Sequence, residues 1–261
     1  MNEHLLEIDG LNILRRCYEA NPAPDSAEKA QSALRSSAAS VRRALQQYRP
    51  THVVLVMDPA GPNWRHALYP QYKAQRKPMP APLFEALREG PGWQDWVRKL
   101  GIATWEVEGF EADDLLASLT ESWHKQFPDA QATILSTDKD LCGLACNRVH
   151  VRDHFNEVLR DVDWVLAKFG VFPKQIPDYL ALMGDATDGI PGVARIGAKS
   201  AASLLQEYET LEEVLQAAGD MPGARGKALR EGAESARLSR QLTQLRSDLS
   251  FDRWDEAKAP A

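Results

Sequence analysis

Residues 52–58 read His-Val-Val-Leu-Val-Met-Asp, an apolar run with no alternation that stops at a carboxylate. A strand wet on one face alternates polar with apolar residues. A strand apolar throughout suits a parallel sheet covered on both faces. Two more segments share the pattern: HLLEIDG at 4–10, which includes Asp9, and ATILSTDKD at 132–140, which ends in Asp138 and Asp140. GIATWEVEG at 101–109 is expected as a further strand, and a short one is expected around Arg148–Arg152. The intervening spacing predicts helices over about Ser26–Tyr48, Pro82–Arg88 and Trp93–Leu100, and another opening at Glu111. Strand alternating with helix over residues 1–173 implies a doubly wound, mostly parallel α/β sheet. The crevice of such a sheet lies outside the carboxyl ends of its strands, where these aspartates fall.

After about residue 170 the chain has turns and helical runs but no strand. A helical subdomain is expected over 174–250. Its last helix would carry Leu238, Leu242, Leu245 and Leu249 as a core stripe, and a tail would follow at 251–261, frayed over DEAKAPA at 255–261. No internal repeat or low-complexity segment is evident.

The acids are grouped. GFEADDLLASL at 109–119 places Glu111, Asp113 and Asp114 at the start of a helix. Carboxylates are favoured there by the helix dipole, but three within four residues exceed what a cap needs, and like charges so close repel unless a cation sits between them. With Asp9, Asp58, Asp138, Asp140, Asp185 and Asp188 they make nine carboxylates on expected neighbouring loops. Oxygen-only ligation points to Mg²⁺ or Mn²⁺. Two such ions roughly 4 Å apart serve in-line phosphoryl displacement.

The formal net charge is −6, and setting those nine acids aside leaves +3. Two stretches hold no acid: Pro59–Phe84, with Arg65, Lys73, Arg76 and Lys77, and Gly189–Gln206, with Arg195 and Lys199. In the first, Lys73 and Arg76 are spaced to share a helix face beside Tyr69 and Tyr72. Cations there can steady a phosphate, and the aromatics can stack on an unpaired base. In the second, GIPGVARIGAKSAASLL is a glycine-punctuated hairpin opening a helix, suited to DNA-backbone contact without sequence readout. It fails as a P-loop, because Ala198 separates Gly197 from Lys199 and no buried strand precedes it. No apolar run is long enough to span a bilayer, and no signal peptide is apparent. The odd set Cys17, Cys142 and Cys146 suggests reduced thiols in the cytoplasm.

Six segments in order resemble the bacterial 5′-nuclease family, which includes the nuclease domain of DNA polymerase I, phage 5′ nucleases and stand-alone flap endonucleases of the exonuclease IX (Xni) type. They are IDGLN at 8–12, MD at 57–58, WRHALYPQYKAQR at 64–76, EADDLLA at 111–117, STDKDL at 136–141 and GDATDGIPGVARIGAKSA at 184–201. The resemblance implies a PIN-like sheet, a basic arch near 64–92 and a helix-hairpin-helix subdomain. It assigns Asp9, Asp58, Glu111, Asp113 and Asp114 to a first metal site and Asp138, Asp140, Asp185 and Asp188 to a second. Lys73, Arg76 and Asp113 become catalytic. It implies K⁺ held near Leu182, Met183, Pro191, Val193 and Ile196. DNA contacts would come from Arg65, Tyr72, Lys73, Arg76, Gly192, Arg195, Ile196, Gly197, Ala198, Lys199 and Ser200. The implied activity is metal-dependent cleavage of branched or 5′-flap DNA by a monomer, as endonuclease and 5′-3′ exonuclease. Two competing readings are a flap-binding protein with little or no cleavage and a PIN-type RNA nuclease. The intact second acid set speaks against the first, and the hairpin against the second.

Overall fold

Six segments form one sheet: His4–Asp9 (β1), His52–Val56 (β2), Ala103–Trp105 (β3), Gln131–Leu135 (β4), Val149–Asp153 (β5) and Val158–Arg160 (β6). The computed structural model describes residues 3–88 and 93–260. Strand order is β3-β2-β1-β4-β5-β6. All pairings are parallel except the last, where β6 returns antiparallel along β5. The four apolar segments and the short fifth appear where the sequence places them. β6 was not expected: three half-buried residues carry no periodic signal.

The strand period divides the core. Leu6 and Ile8 of β1 join one cluster and Leu5 the other. The first cluster takes Gly10–Glu19 (α1) and Ala27–Tyr48 (α2). Trp64–Leu68 (α3) follows β2, and then Ala81–Arg88 (α4) and Trp93–Arg98 (α5) complete that layer. The second cluster takes Ala112–Gln126 (α6) and continues into Val162–Phe169 (α7), Ile176–Met183 (α8), Ala198–Tyr208 (α9) and Leu211–Ala217 (α10). Gly223–Glu231 (α11) and Ala233–Thr243 (α12) finish the helical subdomain. Local chemistry sets several boundaries. Ser26 caps α2 by accepting from Lys29 N–H, and Arg49 ends it in the left-handed region before Pro50. Thr210 and Glu213 form a capping box on α10. No helix among the described residues is long and apolar enough to cross a membrane.

Three expectations change. Residues 70–76 form turns rather than a helix carrying Lys73 and Arg76 on one face, and Lys73 is itself left-handed (φ 55°). The arch near 64–92 becomes α3, these turns and α4, with 89–92 outside the described residues. The last helix stops at Thr243, short of Leu245 and Leu249. Beyond it the chain lies along α6, where Arg246 N–H donates to Asp114 and the Ser118 hydroxyl donates to Arg246 C=O.

The segment from 251 is packed, not frayed. Phe251 and Ala257 are buried. Val53 N–H donates to Ala257 C=O (2.7 Å), and Ala259 N–H donates to Thr51 C=O (2.8 Å). β3 begins opposite Val54, so the tail occupies the edge of β2 that β3 leaves bare. An unpaired strand edge is a liability that a covering segment removes.

Candidate active site

β1 is flanked by β2 on one side and β4 on the other, so the order reverses there and a crevice opens above its carboxyl end. Asp9 is the last residue of β1, Asp58 follows β2, Asp138 follows β4, and Asp113 stands in the first turn of α6. All four line one small crevice with Asn12, Lys73 and Arg76. Asp9 is held from both sides: Asn12 N–H donates to Oδ1 (3.1 Å) and the Ser136 hydroxyl to Oδ2 (2.7 Å). Asp58 accepts from Ala112 N–H (2.9 Å), which ties the end of β2 to the start of α6.

The crevice carries an electrostatic load. Burial, then Asp58, pushes the Asp9 carboxyl up to about 7. Burial, then Asp138 and Asp9, raises Asp113 well above the usual range. Asp58 is also raised, chiefly by burial. Alongside, burial and then Asp138 push Asp140 up to about 7, and burial raises Asp188. Asp140 Oδ1 and Asp188 Oδ1 are buried without a hydrogen bond. Asp185 goes the other way: burial would raise it, but the Lys139 ammonium bonded to it holds it below the usual value.

Glu111 and Asp114 have a different setting. Arg65 is fully buried, and its guanidinium donates to both oxygens of Asp114 (2.7 Å each) and to Glu111 (3.1 Å). Trp64 Nε1 and Arg246 N–H also donate to Asp114. Glu111 further accepts from the Tyr72 hydroxyl (2.9 Å) and Lys73 Nζ (2.6 Å). Burial would raise its pKa, but Lys73 and Arg65 keep it lowered. These two acids anchor the 64–73 segment to α6. The assignment of Asp114 as a metal ligand is therefore corrected, because partners within the protein take both of its oxygens. Arg65 and Tyr72, expected on DNA, are buried at 2% and 4% exposure and cannot reach it. Glu111 reaches the crevice through its bond to Lys73 and through its charge, which raises Asp58.

Lys73, Arg76 and Arg15 are the cations that line the crevice, the first two from the 70–76 turns. Lys73 N–H donates to Asp188 C=O (2.8 Å), Lys73 Nζ lies 3.8 Å from the Asp188 carboxylate, and an Arg76 nitrogen lies 3.4 Å from it. The 71–76 turns thus rest on the loop that leads into the hairpin.

Among the described residues, no group of three or more His, Cys, Asp or Glu side chains forms a ready-made metal cage. The donor set still fits a hard divalent ion. Mg²⁺ keeps several waters and is bound through one or two carboxylates, not a closed protein cage. The crevice supplies oxygen-only carboxylates, and the charged forms of Asp9, Asp58 and Asp113 are disfavoured there. Asp9, Asp58, Asp113 and Asp138 are the residues that would hold it, with Asp140 and Asp188 beside them.

The hairpin joins α8 to α9. Asp185 and Ile190 exchange backbone hydrogen bonds (2.8 and 2.9 Å). Gly192 is left-handed, and a Cβ there would stand 2.3 Å from Gly184 N, so only glycine fits. Gly192 and Ile196 are buried, which removes them from the expected DNA-contact surface. Ala194, Arg195, Gly197, Ala198 and Lys199 are exposed, and Ser200 is half-buried.

Sequence reasoning missed Asn12, Ser136 and Lys139. Asn12 bridges to Thr137 and Ser136 fixes Asp9; both are uncharged and carry no signal in composition. Lys139 lies between Asp138 and Asp140 in the quoted STDKDL and contacts Asp140 and Asp185. A lone cation inside an acidic run was the available sign.

Residues 4–170 match the 5′-3′ exonuclease N-terminal resolvase-like domain, and residues 171–260 match the 5′-3′ exonuclease C-terminal SAM fold. Flap endonuclease Xni of Pectobacterium carotovorum is 38% identical over 97% of this chain and 93% of its own length. Flap endonuclease Xni of a Shewanella strain is 39% identical over 97% and 92%. Among solved structures, bacteriophage T5 5′-exonuclease with bound zinc superposes with a TM-score of 0.74 at 21% identity, covering 94% of this chain and 90% of that one. The catalytic core of Rad2 with DNA substrate gives 0.59 at 13% identity, over 96% and 81%. Both structures share the fold. The matches run from β1 to the packed tail, and the chain belongs to the 5′-3′ exonuclease family of nucleases.

Proposed function

We propose that this nuclease cuts DNA phosphodiesters near single-strand/duplex junctions, as a 5′-flap endonuclease and 5′-3′ exonuclease, with Mg²⁺ or Mn²⁺ held by Asp9, Asp58, Asp113 and Asp138. The observation that carries this reading is the set of desolvated acids at the switch point of the sheet, with Lys73 and Arg76 at their edge. Bound divalent ions supply a nucleophilic water at neutral pH and charge to offset the leaving oxygen. The chain's own groups do the rest. Ser136 and Asn12 hold the Asp9 carboxylate in orientation. Lys73 and Arg76 bind the scissile phosphate, exchanging part of their contact with Asp188 for it. The exposed hairpin cations Arg195 and Lys199 grip the duplex backbone. Asp140, Asp185 and Asp188 serve a second ion position, where Lys139 is the competing cation.

K⁺ at the hairpin would use backbone carbonyls of Leu182, Met183, Pro191, Val193 and Ile196. The carbonyls of Leu182 and Val193 each accept one backbone N–H and keep a second lone pair. The protein acts as a monomer in the cytoplasm, consistent with three free thiols at Cys17, Cys142 and Cys146.

The test is cleavage-product mapping on a labelled 5′-flap duplex, with matched RNA and single-strand controls, for wild type and Asp113→Asn. Cuts at the junction that need Mg²⁺ and vanish in the variant support the reading. Cleavage unchanged in Asp113→Asn, or binding without cleavage by wild type, rejects it.

A further inference from the structure

The helical subdomain holds a shortened copy of its own hairpin. Residues 191–199 read Pro-Gly-Val-Ala-Arg-Ile-Gly-Ala-Lys. Residues 222–227 read Pro-Gly-Ala-Arg-Gly-Lys, the same order with Val193, Ile196 and Ala198 left out. The copy is too short and irregular to register as a repeat by period. The two also share local features, although 223–227 already lie within a helix and 191–197 do not. The first glycine of each is left-handed (Gly192, φ 63°; Gly223, φ 76°), the Arg and Lys of each are exposed, and a helix opens in each, α9 at Ala198 and α11 at Gly223.

They also face each other. A cleft of about 560 Å³ has Ala194 and Arg195 on one wall and Ala224, Lys227, Ala228 and Glu231 on the other. The walls are joined as one unit. The Ser235 hydroxyl donates to Gly192 C=O (2.7 Å), and Gly192 N–H donates to the Ser239 hydroxyl (3.0 Å). A Cβ on Gly232, between α11 and α12, would come within 2.9 Å of Val193.

The charges sort accordingly. Elsewhere in the subdomain, Arg230 donates to Ala218 and Met221 carbonyls, Arg237 pairs with Glu212 and Glu234, and Arg240 pairs with Asp178. Among the described residues Arg195, Lys199 and Arg225 form no ion pair, nor does Lys174, which lies on neither motif. Lys227 has only an exposed partner one helical turn on, Glu231, at 3.7 Å. Unpaired surface cations are common singly. Here one cation of each motif, Arg195 and Lys227, lines a cleft whose other side chains are small apart from Glu231, and Lys199 and Arg225 stand exposed on the same two motifs.

We propose that this cleft and the exposed start of α11 beside it form a second phosphodiester-binding site, in which Lys227 from the cleft wall and Arg225 from the adjoining surface hold the backbone of the duplex that Arg195 and Lys199 also hold. This rests on the reading of the hairpin as a duplex grip and extends it. One grip leaves the duplex free to swing; two fix its axis and so select which phosphate enters the crevice. Contacts of this kind position without reading sequence.

The experiment is fluorescence anisotropy of a labelled duplex across a NaCl series in EDTA, where no cleavage occurs. Four full-length proteins are compared: wild type, Arg225→Ala/Lys227→Ala, Arg195→Ala/Lys199→Ala, and a charge control, Lys168→Ala/Lys174→Ala. Each lost phosphate contact should lower the slope of log K against log salt by about 0.9. The expected result is a slope reduced by about two contacts' worth in the first two variants and nearly unchanged in the control. Unaltered circular dichroism keeps misfolding out of the comparison. An α11 variant indistinguishable from the control, with the hairpin variant weakened, overturns this inference alone. If both match the control, the duplex-grip reading falls with it.

Discussion

Asp113 and Asp114 are neighbours in the first turn of α6, their side chains about 100° apart around the helix axis. Asp113 turns into the crevice beside Asp9 and Asp138, where burial and those two acids raise its pKa more than Lys73 lowers it. Asp114 turns inward onto Arg65, with Trp64 and Arg246 N–H completing its shell. The crevice is acid without enough counter-charge; the clamp is acid fully answered. Unanswered buried carboxylates are costly to the fold and useful to a cation. Answered ones hold the chain in place and have no bonding capacity left for a ligand.

The largest effect should come from the crevice. Asp113→Asn should lower single-turnover cleavage of a 5′-flap duplex by about 10³-fold or more, the scale of losing a group that offsets developing charge. Its melting temperature in EDTA should hold or rise, because a desolvated charge is gone; a marked fall would place Asp113 with the clamp. Asp114→Asn should instead cost about 3–5 kcal/mol in urea unfolding, as expected when one partner of a buried pair is removed. Combined with Arg65→Met, the loss should be smaller than the sum of the single losses. Additive losses would show that the two do not form a unit.

A smaller effect separates the regions by pH. Asp9 and Asp140 are pushed up to about 7 in the folded protein. A carboxyl raised on folding contributes stability below its unfolded pKa of about 3.9, and the contribution is lost as pH rises through the folded value. In EDTA, melting temperature should therefore decline from about pH 5 to about pH 7 and level off above that. The lowered acids Glu111 and Asp185 act in the opposite sense but at lower pH, outside that window. A rise over the window would contradict the assignment of charge strain to the crevice. The smallest effect is on ion binding. Mg²⁺ at a hundred times its Kd should stabilise wild type by about 2.7 kcal/mol. It should stabilise Asp114→Asn by a similar amount and Asp9→Asn by much less.

The sheet was legible because its signals are local. Apolar runs without alternation name buried parallel strands, and their closing aspartates mark the carboxyl ends. The segments escaping this reading were short or irregular: β6, the turns at 70–76, and the tail that covers β2. The tail contains Phe251 and Trp254, which pack 4.6 Å apart against the sheet side, but a tail of mixed composition gives no period by which to see it.

The residues alone determined that nine acids were available, that seven of them end strands or open a helix, and that two basic stretches lacked acid. Only the tertiary structure decided which acids share a crevice and which are consumed internally. Helical spacing tells which way Asp114 points relative to Asp113. It cannot tell that Arg65 arrives from 49 residues upstream, or Arg246 from 132 residues downstream, to meet it. A carboxylate's role depends on whether its charge is answered, and in this protein the answering groups come from distant parts of the chain.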